Sequence, residues 1–148
     1  MAWTVELFPD GSGNRRAFLI EASPNDSNKS LTFDDIGEWS LLRLDHVRVE
    51  LVTSATGGTR TLILELLDAA GNVEQAFQAN NTSIANTTRK TQFWPTPGFN
   101  LTAQTEVSVE HFAMHVWLAR GHSLRVRDLA AIDAAADDMT VKVQGLLI

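Results

Sequence analysis

Two histidines, His111 and His115, stand four residues apart in the stretch Glu110-His-Phe-Ala-Met-His115. Their spacing invites comparison with the H-E-x-x-H zinc motif. That motif needs Glu directly after the first His as general base, and a helix that brings both imidazoles to one metal. Here Phe112 holds the Glu position, and the apolar residues around it recur with the period of a strand. Residues four apart in a strand stand ~13 Å apart, too far to share one ion. The acidic pairs Asp34-Asp35 and Asp137-Asp138 offer oxygens to a hard cation, yet no D-x-D-x-D-G loop surrounds them. They read as solvated loop carboxylates. Asp128 and Asp133, near strand ends, read as turn caps that accept hydrogen bonds from backbone N–H groups. No G-x-S-x-G elbow frames a serine, and Gly57-Gly58 lacks the Lys and helix of a phosphate loop. Cys is absent, which removes thiolate nucleophiles, disulfides and cysteine metal sites. The expectation is a non-enzymatic chain without metal or cofactor.

The aromatic residues are the other chemically suggestive set. The chain has four Trp and no Tyr. Trp3, Trp39, Trp94 and Trp117 could form a platform for sugars, because the apolar face of a pyranose packs on indole. The competing reading places Trp39 and Trp117 in the core or between sheets, and Trp3 and Trp94 at an arm or subunit contact. Large aromatics are enriched at interfaces for their area and low entropy cost. Apolar residues also crowd both chain ends: Trp3, Val5, Leu7 and Phe8 at one, Leu147 and Ile148 at the other. With Phe93 and Trp94 they make the expected assembly surface, since partners would cover what a lone chain exposes. Symmetric closure makes a cyclic oligomer the default, and a homotrimer is expected.

The elements that must position these residues are strands. Phe112, Met114, Val116 and Leu118 alternate with other residues, as do Leu124 and Val126, and Met139, Val141 and Val143. A period of two is what a half-buried strand requires. Phe112, Met114, Val116, Leu124, Val126, Met139, Val141 and Val143 are therefore the expected core. Gly121 sits where a hairpin between the two alternating segments needs positive φ. From Trp39 to Thr53 the apolar parity changes near Asp45-His46, the mark of a β-bulge. Thr61–Leu67 and Val73–Phe77 read as a hairpin joined by Asp68-Ala-Ala-Gly71-Asn72. Residues Ser23–Ser30 read as a polar loop, Ala79–Thr91 as a long exposed loop or an edge excursion, and Phe93–Phe99, with two prolines, as no central strand. The total of about eight or nine strands suits a sandwich or jelly roll. The reading is an all-β fold, an antiparallel β-sandwich, jelly-roll-like, with an extended N-terminal arm. Residues 1–14 form the arm, ended by Pro9-Asp-Gly-Ser-Gly13-Asn14, and 15–148 form one domain.

Composition sets the remaining bounds. With 148 residues, the chain can bury a substantial core without disulfides. Its net charge of −6 and scattered basic pairs, Arg15-Arg16 and Arg89-Lys90, argue against a nucleic-acid partner. No stretch approaches the ~18 apolar residues that cross a bilayer, so no membrane partner is expected. Met1–Leu7 lacks the basic region and apolar run of a secretory signal.

The segment Leu118-Ala-Arg-Gly-His-Ser-Leu-Arg-Val-Arg-Asp-Leu-Ala-Ala-Ile-Asp-Ala-Ala-Ala-Asp-Asp-Met139 resembles the closing part of small structural proteins of tailed bacteriophages, those encoded beside the major capsid protein. The resemblance covers about the last fifth of the chain, through a Gly-centred hairpin, a Leu-Arg-Val-Arg-Asp strand and an Ala-Ile-Asp run ending in Asp-Asp-Met. It implies a virion component, most simply a capsid decoration or cement protein made in the host cytoplasm and carried on the capsid surface. Its partners would be its own copies and the major capsid protein or another virion protein. The alternative is a carbohydrate- or receptor-binding β-sandwich of a fibre, neck or tail, with a glycan as partner.

Overall fold

The alternating segments become eleven strands: β1 (Thr4–Pro9), β2 (Arg15–Glu21), β3 (Asn28–Thr32), β4 (Leu41–Val52), β5 (Arg60–Leu67), β6 (Val73–Ser83), β7 (Thr88–Pro95), β8 (Val107–Phe112), β9 (Val116–Ala119), β10 (Ser123–Asp128) and β11 (Asp138–Leu147). The computed structural model describes residues 4–9, 11–13, 15–22, 24, 26–32, 41–95, 107–112 and 116–148, and the backbone alone at 81, 94–95 and 107–112. Among the described residues there is no helix.

Two sheets pack face to face. The larger runs β1-β2-β11-β4-β7-β8, with β9 also on β4, and the smaller runs β3-β10-β5-β6. All pairings are antiparallel except β7 with β8. The chain changes sheet between β2 and β3, β3 and β4, β4 and β5, β6 and β7, β9 and β10, and β10 and β11. These crossings, with the orders β2-β11-β4-β7 and β3-β10-β5-β6, make a jelly-roll sandwich. Alternation drives it: strands of both sheets turn apolar rows inward, so Leu19, Val49, Val141, Leu64 and Val126 meet in a single core.

Of the expected core, Val116, Leu124, Val126, Met139, Val141 and Val143 are buried. The side chains of Phe112 and Met114 lie outside the described residues. The bulge falls where the parity change placed it. His46 pairs with Gln144 and Leu44 with Gly145, leaving Asp45 as the extra residue of β4. Gly145 is required there, because a Cβ would stand 2.4 Å from the Arg43 carbonyl oxygen. The β5–β6 hairpin also forms. Asp68 Oδ1 accepts from the Ala70 and Asn72 N–H groups, and Gly71 takes φ +86°.

Four expectations change. Gly121 has positive φ, but β9 pairs with β4 and β10 with β3 and β5, so the turn is a corner between sheets and not a hairpin. Both flanking strands face the same core from opposite sides, and alternation cannot tell that from a hairpin. The polar stretch 79–91 is mostly strand and not an exposed loop: β6, an edge strand, reaches Ser83 as the edge reading allowed, and β7 starts at Thr88. The segment at Phe93 lies in β7, an interior strand whose proline, Pro95, is its last residue. Residues Ser23–Ser30 are not all loop, because β3 begins at Asn28 and turns Lys29 inward.

Candidate assembly surface

The charged groups gather at the end of the sandwich where β4 stops and β11 starts. Arg60 opens β5 there, and Asp137 immediately precedes β11. Arg60 Nε donates to Asp137 Oδ2 at 2.9 Å and Nη2 to Oδ1 at 3.1 Å, with both side chains at 0% exposure. Arg60 Nη1 donates to the carbonyls of Thr56 and Gly58, and Nη2 also to Ser54 Oγ. Asp137 accepts in addition from the Ser54 N–H at 2.8 Å. Burial by itself would raise the Asp137 carboxyl, but the guanidinium and this N–H hold it below the usual carboxylate value. Asp133 Oδ2 accepts from Ser54 Oγ at 2.7 Å and Thr56 Oγ1 at 2.6 Å, and these bonds lower its carboxyl too.

A second buried pair lies at the same end. Lys29 Nζ stands 2.9 Å from Glu21 Oε2 and 3.3 Å from Asp26 Oδ2, joining β3 of one sheet to β2 of the other. Asp128 caps its turn as expected, accepting from the N–H groups of Thr61, Ala130 and Ile132. Asp137 corrects the expectation of a solvated carboxylate, because Arg60 takes it inside. Ser54 sits between a cation and a carboxylate, its Oγ accepting from Arg60 Nη2 and donating to Asp133 Oδ2. The cluster closes the sandwich, with Ser54 held between Arg60 and Asp133. Among the described residues no group of three or more acidic or His side chains could hold a metal.

The N-terminal flank is built the opposite way. Among the described strands β1 ends the larger sheet and pairs only with β2, Val5 facing Leu19 and Leu7 facing Ala17. Val5 and Leu7 therefore share the core-facing side of the sheet, yet they are 41% and 44% exposed, because the smaller sheet does not reach over them. On the other side Phe8, 48% exposed, meets Phe18 edge-on at 6.4 Å. All six residues of β1 are exposed, and its outer edge pairs with no described strand. Edge strands are usually blunted by Lys, bulges or interior proline. β1 has one charge, Glu6, and a proline only at its end, Pro9.

The other expected assembly residues scatter. Trp3 lies outside the described residues, as does the side chain of Trp94. Phe93 and Leu147 are at 0% exposure, inside the core against β4 at Val47 and Leu42, and have no surface left for a partner. Their inward parity is the reason. Ile148 is 42% exposed, while its backbone exchanges two hydrogen bonds with Leu41. Trp117 is not core: it is 42% exposed on the outer face of β9, directly across from Arg43. The buried pairs Arg60–Asp137 and Lys29–Glu21 carry little sequence signal. Lys29 shares the parity of Leu31, which marks it as inward, but its partner is set by the tertiary fold.

No family model matches the chain, and no curated protein matches it. Among solved structures it is similar to an agarase at 6% identity and a TM-score of 0.38, over 99% of this chain and 22% of that one. It is similar to an exo-β-agarase at 12% identity and a TM-score of 0.37, over 98% of this chain and 22% of that one. An arabinose-bound α-L-arabinofuranosidase follows at 19% identity and a TM-score of 0.33, over 99% of this chain and 22% of that one. The chain thus spans 22% of the length of each. Likeness at these scores bears on neither activity nor ligand.

Proposed function

We propose that this chain is a non-enzymatic structural protein that joins a larger assembly through its N-terminal hairpin. The assembly suggested by the Leu118–Met139 resemblance is the capsid of a tailed bacteriophage, on which the chain would act as a decoration protein. The observation that carries the reading is β1: a sheet edge that pairs with no described strand on its outer side, with Val5 and Leu7 exposed on one face and Phe8 on the other. Such an edge takes a partner strand through its backbone groups, and alternate side chains fill the partner's pockets. A homotrimer is the expected form on the shell, since closed symmetry lets each copy use the same contact.

Deleting residues 2–8 tests it. Capsids lacking the chain are mixed with the intact or shortened protein and sedimented. The intact chain should co-sediment and the shortened one should stay in the supernatant, with a melting temperature close to that of the intact protein. Co-sedimentation of the shortened chain overturns the hairpin as the attachment. Failure of the intact chain to co-sediment, together with a monomeric native mass at high concentration, overturns the structural role.

A further inference from the structure

The two outer sheet faces treat their cations differently. On the smaller sheet, Arg125 stands across from Glu65, which accepts from Arg125 Nε at 2.6 Å and from Arg127 Nη2 at 2.9 Å. Each guanidinium there has its carboxylate. On the larger sheet, Arg48 of β4 stands directly across from Lys142 of β11. Like charges so placed destabilise a strand pair. The residue across from Arg48 on its other side is Gln92, and across from Lys142 on its other side is Ile20. No carboxylate stands opposite either cation. Glu50, one pleat further along β4, is instead drawn toward Lys90 at 3.6 Å. The recess between Arg48, Glu50, Thr140 and Lys142 holds about 50 Å³, room for a small anionic group and not for a whole ring.

Further along the same face the chemistry changes. His46 Nδ1 lies 3.2 Å from Gln144 Oε1, placing an imidazole and an amide side by side. Beyond them the Trp117 indole stands 42% exposed across from Arg43, whose guanidinium is held by Asp45 at 2.7 Å. From Arg43 to Arg48 the strand covers roughly 16 Å at ~3.3 Å per residue. The row therefore offers an aromatic plate, then hydrogen-bonding groups, then two cations with no carboxylate directly across from them among the described strands, in a chain whose net charge is −6. A polymer with apolar ring faces, hydroxyls and carboxylates matches that order.

We propose that the outer face of the larger sheet binds an acidic polysaccharide, the Trp117 indole taking the apolar face of a sugar ring while Arg48 and Lys142 take its carboxylates. The inference goes beyond attachment through β1 and uses none of its residues. Affinity electrophoresis in gels containing polygalacturonate, with dextran gels and single-stranded DNA as controls, tests it. The full chain should be retarded by polygalacturonate, less so at high salt because exposed charges are screened. Trp117→Ala, and separately Arg48→Gln with Lys142→Gln, should each weaken retardation about tenfold or more. Melting temperatures should hold, and the double variant should gain slightly as the like-charge contact is removed. No retardation of the full chain, equal retardation by dextran, or undiminished retardation of either variant overturns the proposal. Equal binding of DNA that survives Trp117→Ala overturns it as well, since charge alone would then explain the face.

Discussion

The Arg60 end and the N-terminal flank of this sandwich are inverted images of ordinary protein architecture. At one end charged groups lie inside: Arg60, Asp137, Lys29 and Glu21 are all buried. At the flank apolar groups lie outside: Val5, Leu7 and Phe8 are all exposed. The difference separates two tasks. Buried charges must be matched within the chain, because a lone ion in a low-dielectric interior is costly. Exposed apolar groups can be left for a partner, at the risk of nonspecific association. The closed end should therefore govern folding, and the open flank should govern attachment.

The largest effect should come from breaking the closed end. Asp137→Ala leaves the Arg60 guanidinium buried without its carboxylate and the Ser54 N–H without its acceptor. Removing one partner of a buried pair costs about 3–5 kcal/mol, so urea unfolding should show a much lower midpoint or no folded baseline. A change within half a kilocalorie would mean the pair does not close the sandwich. The same group sets an acid limit. The folded Asp137 carboxyl lies below its unfolded value of about 3.9. Its stabilisation is therefore complete only above about pH 5, begins to fall as the unfolded carboxyl protonates, and is lost as pH falls through the folded value. Asp137→Asn should flatten the acid arm of stability against pH. An unchanged slope there would assign acid sensitivity to other carboxylates, such as Glu65, which Arg127 and Arg125 also hold low.

Next in size is Gly145, which lets β11 pass the bulge. Its missing Cβ would collide with the Arg43 carbonyl oxygen at 2.4 Å and the Leu42 side chain at 2.6 Å. The first of these is backbone and cannot swing away. Gly145→Ala should destabilise by about 1–3 kcal/mol, as overpacking does. Thermal unfolding reads it directly, and a neutral result would mean the bulge can reposition at little cost.

The bulge also shows what is legible in the sequence. The parity change at Asp45-His46 is local, and so is the Asp68–Asn72 turn, which shapes itself from neighbouring residues. Both are readable from a few consecutive residues. Core membership at Val126 or Val141 follows from alternation alone. What alternation omits is the identity of the sheet. Val116-Trp117-Leu118 and Leu124-Arg125-Val126 each present an apolar row, but nothing local says that the rows face each other across the core. Arg60 and Asp137 lie 77 positions apart, and in sequence each looks like the solvated charge of a polar loop. Phe93 is obscured by its proline neighbours, although Pro95 only ends the strand. The exposed flank is half legible. Its apolar residues are visible in the sequence, but whether β1 leaves the domain or borders it depends on the pairing with β2.

The smallest effect on stability should accompany the largest effect on assembly. Val5 and Leu7 sit on the core-facing side of the sheet, past the reach of the smaller sheet. Val5→Ser with Leu7→Ser removes apolar area that water already touches in the lone chain, so little burial is lost on folding. Substitutions at such sites fall within about 0.5 kcal/mol. The backbone pairing with β2 is kept, as Ser can still form it. If the flank serves a partner, the double variant should melt within a few degrees of the parent yet fail to co-sediment with capsids. If β1 is only the border strand of its own domain, co-sedimentation should survive while hydrogen exchange of Val5 and Leu19 speeds up together. Retained attachment with unchanged exchange would leave the exposed pair without either role, and the contrast between the two regions would reduce to the closed end alone.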